Sequence, residues 1–181
     1  MDNFKSFYES KEKLVLEPLP YKQDALSPIK SKETIQYHYG SLASGYVNRY
    51  NKSEGDPEFN RAGAFLHNLY FPELQPPKSD NLPYGKSLAL IESKYGTLDK
   101  FKKQMKDVAM KIQGSGWVYM SLDGSIKTIE NHEVRNDIAL LIDWWEHAWA
   151  LDYQSDKSKY FDNIWKIINW QIINDRLNAE V

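Results

Sequence analysis

Cysteine is absent from the 181-residue sequence, and that omission excludes disulfides, thiolate-bound zinc, iron–sulfur clusters and any cysteine nucleophile. A metal bound by this chain must be held through nitrogen and oxygen. Charge of one sign is also scarce: 23 lysines and arginines interleave with 25 aspartates and glutamates, for a formal charge of −2. No sustained basic tract exists to neutralise a phosphate backbone, so no nucleic-acid partner is expected. Long apolar runs are missing too. Nothing approaches the ~20 residues of a membrane span, and the mixed, charged segment 1–12 has no apolar core of signal-peptide length. The sequence therefore reads as a soluble, cytoplasmic protein with no membrane partner.

What is abundant is aromatic: six tryptophans and twelve tyrosines, a composition suited to a tightly packed core or a dry site. Segment 1–16 reads as a loosely ordered lead-in. The prolines in Glu17-Pro-Leu-Pro-Tyr21 exclude regular helix there. Ser31 is a suitable N-cap for a helix running to about residue 50, with Ile35, His38, Leu42 and Tyr46 at helical spacing. A second helix is expected over 58–71, carrying Phe59, Gly63, His67 and Tyr70 on one face. Together these make an antiparallel hairpin domain over 17–80, closed by the three prolines of 74–84. The second domain, 81–181, opens with short helices over 87–94 and 98–112. A β-hairpin follows at 117–122 and 125–129 about Asp123-Gly124. The apolar run 138–142 reads as a third strand. A final helix is expected over 157–177, with Phe161, Ile164, Trp165, Ile168 and Ile172 inward.

Three of the four histidines lie on apolar, aromatic-flanked segments: Tyr37-His38-Tyr39, Leu66-His67-Asn68 and Trp145-Glu-His147-Ala-Trp149. One such histidine is ordinarily a core residue bonded to backbone, but three on separate buried elements point to shared coordination. Asp143 ends an apolar strand four residues before His147, where a carboxylate is costly to bury unless it meets a cation. Three imidazoles and a carboxylate suit iron, manganese, zinc or cobalt alike.

These residues resemble the iron/manganese superoxide dismutases from about residue 16 to residue 178. The likeness rests on Leu19-Pro-Tyr21, on Ile35-Gln-Tyr-His38-Tyr-Gly40 with Tyr46-Val-Asn48, and on Phe65-Leu-His67. It continues in Gly114-Ser-Gly-Trp117, Asp143-Trp-Trp-Glu-His147-Ala148, Leu151-Asp-Tyr153 and Asn169-Trp170. The resemblance implies an α+β fold: an antiparallel helical hairpin, then a mixed domain with a three-stranded antiparallel sheet and flanking helices. It implies one manganese or iron ion per chain on His38, His67, Asp143 and His147, superoxide as substrate, and Tyr46 beside the substrate channel. Trp117, Tyr119 and Trp145 would wall the site. Glu146 would cross a homodimer interface to the partner's corresponding histidine.

Against the family pattern, His132 falls where manganese members commonly carry a glutamine that bonds the metal-bound solvent, and Gly63 where many iron members place theirs. Strict iron use is thereby disfavoured relative to manganese or either metal. Leu42 and Ala150 replace the histidine and tyrosine that usually pair at the gateway. Those losses keep open a second reading, a metal-binding or structural relative with little turnover. A zinc hydrolase ranks last, because no carboxylate is placed as a general base.

Overall fold

The computed structural model describes residues 12–179. Ser31 caps α1 (Lys32–Ile35) by accepting a hydrogen bond from the Thr34 N–H. The helix runs on without a break through a π-helical stretch, Gln36–Ala43, into α2 (Ser44–Asn51). The π segment was not foreseen, since helical periodicity does not separate the two windings over one or two turns. In a regular α-helix, residues eight apart such as His38 and Tyr46 are rotated by about 80°. The wider i→i+5 turns underwind the helix and bring Tyr46 back towards the face of His38. Asp56 caps α3 (Pro57–Tyr70), with Pro57 in the first turn where its missing N–H costs nothing. α3 packs antiparallel to α2, and a 3-10 turn, Phe71–Glu73, follows.

The lead-in is more firmly held than expected. Residues 1–11 lie outside the described residues, but Leu14 exchanges two backbone hydrogen bonds with the Asn51 side chain, and Asn68 donates to the Val15 carbonyl. Leu14 and Leu16 also pack against the cluster of Tyr46, Val47 and Ala64.

The second half begins with α4 (Gly85–Tyr95) and α5 (Leu98–Ala109). β1 (Gly116–Ser121), β2 (Ile126–Glu130) and β3 (Ile138–Asp143) form an antiparallel sheet in the order β2-β1-β3. β1 and β3 are buried along their whole length, whereas β2 is an edge strand with its outer face in solvent. Trp117 of β1 pairs with Asp143, so the register of the central strand places an indole beside that carboxylate. After β3 come a 3-10 turn (Glu146–Ala148), α6 (Ala150–Tyr153) and α7 (Lys157–Ile164).

The single terminal helix expected over 157–177 is two. α7 passes through a 3-10 turn, Trp165–Ile167, then breaks, and α8 (Trp170–Asn178) restarts from an Asn169 cap. The cause is tertiary. Ile168 is extended and bridges to Leu74, the Asn169 N–H donates to the Glu73 carbonyl, and Asn81 donates to the carbonyls of Trp165 and Ile168. These long-range bonds replace the intrahelical ones, and the phase shift buries Ile173 instead of Ile172.

Glu73 locks the two halves together. Its carboxylate is fully buried, accepts from the Leu141 N–H of β3, and lies 2.5 Å from the Arg176 guanidinium of α8. Arg176 also donates to the carbonyls of Leu69 and Ala139. Burial raises the Glu73 pKa to about 7 against the opposing pull of Arg176. Arg176→Met leaves that carboxylate buried without its cation, so unfolding in urea is expected to show a loss of about 3–5 kcal/mol.

Candidate metal centre

Four side chains able to ligate a metal arrive from four elements. His38 comes from the π segment, His67 from α3, Asp143 from the end of β3 and His147 from the 3-10 turn beyond it. Their ligand atoms all lie within 4.8 Å of one another. His38, His67 and Asp143 are fully buried, and the His147 side chain is 11% exposed. His38 Nε2 stands 3.0 Å from both His67 Nε2 and Asp143 Oδ2. Asp143 Oδ2 is 3.4 Å from His147 Nε2 and 3.9 Å from His67 Nε2.

These short separations do not resolve into hydrogen bonds at every atom. Asp143 Oδ2 and His147 Nε2 are buried without a partner of acceptable geometry, as befits donors converging on a common point between them. The surrounding bonds orient them. His67 Nδ1 donates to the Gly63 carbonyl at 2.6 Å, which leaves the Nε2 lone pair facing inward. Asp143 Oδ1 accepts from the Trp145 N–H at 2.8 Å, turning Oδ2 to the histidines, while Tyr160 donates to the Asp143 carbonyl.

Protonation states suit coordination. Burial drives His38 well below the ordinary histidine range and lowers His67 to about 4, so both imidazoles are neutral at pH 7. Burial alone would raise Asp143, but the adjacent His147 and His38 outweigh it and hold the carboxyl well below the usual range. These two neutral imidazoles, the His147 ring and the anionic Asp143 oxygen could together hold a single cation.

Tyr46 and His132 both reach this cluster. The Tyr46 ring lies 5.4 Å from His67 and 4.8 Å from His132, and burial pushes its phenol up to about 12. His132 is only 9% exposed, stacked on Trp145 at 4.5 Å, and burial lowers it to about 3. Its Nδ1 accepts from the Trp117 indole, which assigns the proton to Nε2, and Nε2 is buried with no partner. Gly63 is required by its neighbour: a Cβ there would stand 2.8 Å from the Tyr46 ring.

Trp117 and Trp145 wall the cluster, 5.2 Å from His67 and 5.4 Å from His147 respectively. Tyr119 does not join them, since its hydroxyl is tied to Asp137. Three rings that sequence reading left in the core do join: Phe59 against His132, and Tyr70 and Phe71 against His38. The spacing of Phe59 and Tyr70 from His67 on one helix face was the available signal. Leu42 and Ala150 are half-buried, and Glu146 is exposed.

A helical hairpin and a three-stranded antiparallel sheet closing on one buried cluster of three histidines and an aspartate define a metalloprotein of the mononuclear, cysteine-free kind. Residues 13–61 match the α-hairpin domain of the iron/manganese superoxide dismutases, and residues 83–176 match their C-terminal domain. The chain is 33% identical to a superoxide dismutase [Fe] of Pyrobaculum aerophilum, over 92% of each chain. It is 35% identical to a superoxide dismutase [Mn/Fe] of Porphyromonas gingivalis, over 87% of this chain and 96% of that one. The chain belongs to the iron/manganese superoxide dismutases and is an enzyme of this type.

The buried histidines give the metal-free protein a defined acid response. A histidine held at about 4 by the fold and near 6.5 when unfolded binds its proton only in the unfolded state between those values. Its stabilising contribution is present above pH 6.5 and is lost as pH falls towards 4, at about 1.4 kcal/mol per pH unit. His132, at about 3, adds a similar slope reaching lower. Urea unfolding of metal-free protein at pH 7, 5.5 and 4.5 is expected to show this decline.

Proposed function

We propose that one iron or manganese ion is held by His38, His67, Asp143 and His147, and that the enzyme works with manganese or with either metal. The observation that carries the assignment is Asp143 Oδ2, a fully buried carboxylate oxygen facing three imidazoles with no hydrogen bond of its own. When bound, the ion supplies a one-electron couple through which one superoxide is oxidised to oxygen and a second, with two protons, is reduced to hydrogen peroxide.

The chain's own residues do the rest. Neutral His38 and His67 present lone pairs, and anionic Asp143 offsets part of the cation's charge. The indoles of Trp117 and Trp145 exclude bulk water, so hydrogen bonds inside the site act at low dielectric. Tyr46 keeps its proton at neutral pH and serves as a donor beside the substrate. His132 Nε2–H, aligned by the Trp117 indole, donates to solvent or substrate in the site. A glutamine amide and an imidazole differ in acidity, and this difference tunes the metal's potential. With glycine at position 63, no second amide competes from α3, which favours manganese or either-metal use. The alternative of a relative with little turnover is not favoured, because the donor set is complete despite Leu42 and Ala150.

Superoxide decay, normalised to bound metal, is expected to be fast in protein reconstituted with manganese, with iron supporting comparable turnover. Activity confined to iron would overturn the metal assignment, and His132→Gln is expected to change the manganese-to-iron activity ratio several-fold. We also propose a homodimer in which Glu146 reaches the partner's His147. Among the described residues the Glu146 carboxylate has no partner within its own chain, and it stands beside the one ligand that retains exposure. Glu146→Ala is expected to weaken dimerisation in sedimentation and to speed metal loss to a chelator. An unchanged dimer with unchanged metal retention would remove this interface.

A further inference from the structure

Lys30 is fully buried, and among the described residues it is the only lysine or arginine in the buried class. Backbone on both sides forces it inward. The Ile29 carbonyl accepts from Tyr153, and the Ser31 N–H donates to Asp152, which also accepts from Thr34. The ammonium donates to the Ala148 carbonyl, one residue beyond His147, and lies 4.7 Å from the Tyr160 ring centre and 5.8 Å from that of Tyr70. Those two rings lead to the metal centre. Tyr160 donates to the Asp143 carbonyl, its hydroxyl is 3.3 Å from that of Tyr70, and the Tyr70 ring is 5.6 Å from His38.

The buried charges can be counted. Glu73 and Asp143 are the buried acids among the described residues, and Glu73 is matched by Arg176. Among the described residues the Asp143 carboxylate pairs with no lysine or arginine, only with imidazoles and the Trp145 N–H, and Lys30 has no carboxylate within salt-bridge distance. Each is the other's uncompensated counter-charge, separated by tyrosine rings. Burial lowers the lysine to about 8 while Asp143 and then Asp152 hold it up, so it is an ammonium at pH 7. A desolvated ammonium without a carboxylate in contact costs stability, and packing alone would be served as well by a methionine.

We propose that Lys30 is a built-in counter-charge that makes the metal centre receptive to anions, strengthening the binding of superoxide and of other small monoanions. This rests on the metal assignment above. With the Asp143 charge met by the bound cation, the ammonium adds a further positive charge to the same low-dielectric interior. Such a charge attracts an entering anion and opposes metal loading. At roughly 10 Å and an effective dielectric of about 20, the attraction corresponds to about tenfold in affinity.

The experiment uses full-length Lys30→Met and Lys30→Gln, the latter retaining an N–H donor for the Ala148 carbonyl. Azide affinity is read from the visible absorption of iron-loaded protein, and metal affinity from competition with a chelator. Both variants are expected to bind azide about tenfold more weakly and metal more tightly than native protein, with the azide ratio insensitive to salt because the charge is buried. Weaker binding of both azide and metal would make Lys30 a structural anchor for the His147 turn and overturn the proposal. So would unchanged azide affinity, or failure of both variants to fold. A native protein that takes up no metal would instead remove the metal assignment.

Discussion

A carboxylate at the end of a fully buried β-strand is the constraint around which this molecule is arranged. Asp143 has no solvent to hydrate it and, among the described residues, no ammonium or guanidinium in contact. Ionisation inside a protein is sustained only by opposing charge or by oriented donors. The fold provides the site for that opposing charge by delivering an imidazole from each helix of the hairpin and a third from the turn immediately after β3. None of these elements encloses the site alone, so the hairpin and the sheet must dock correctly before the cluster exists.

The docking is secured by polar bonds as much as by apolar area. The Glu73–Arg176 pair ties the end of α3 to β3 and α8, and the Asn81 and Gln75 side chains hold the interrupted terminal helix in place. Both devices sit where a helix stops early, leaving backbone groups that find partners from distant segments. The π-helical stretch around His38 is another departure from regular helix placed at the functional site. It places His38 and the Tyr46 phenol on the same side of one helix.

Buried charge in this protein comes in two arrangements. Glu73 and Arg176 are in contact and neutralise one another. Asp143 and Lys30 stand apart with tyrosines between them, so their charges remain available to whatever enters the space around the histidines. A contact pair stabilises an arrangement of elements, whereas separated charges set an electrostatic potential.

Much was legible in the chain itself. The absence of cysteine restricted any metal to nitrogen and oxygen donors, and the apolar settings of His38, His67, Asp143 and His147 marked them as a group. Ser31 and Asp123-Gly124 located a helix start and a hairpin turn, because capping and turn preferences are local. The break at Ile168, the π segment, the exclusion of Tyr119 and the recruitment of Phe71 were decided only in three dimensions. The break, the exclusion of Tyr119 and the recruitment of Phe71 depend on hydrogen bonds or ring contacts between segments far apart in sequence, and the π winding is not separated from α by periodicity. Lys30 marks the division most clearly: in the sequence it is one lysine among many, and only the closing of Tyr70, Tyr160 and Ala148 over it turns a solvated side chain into a buried charge.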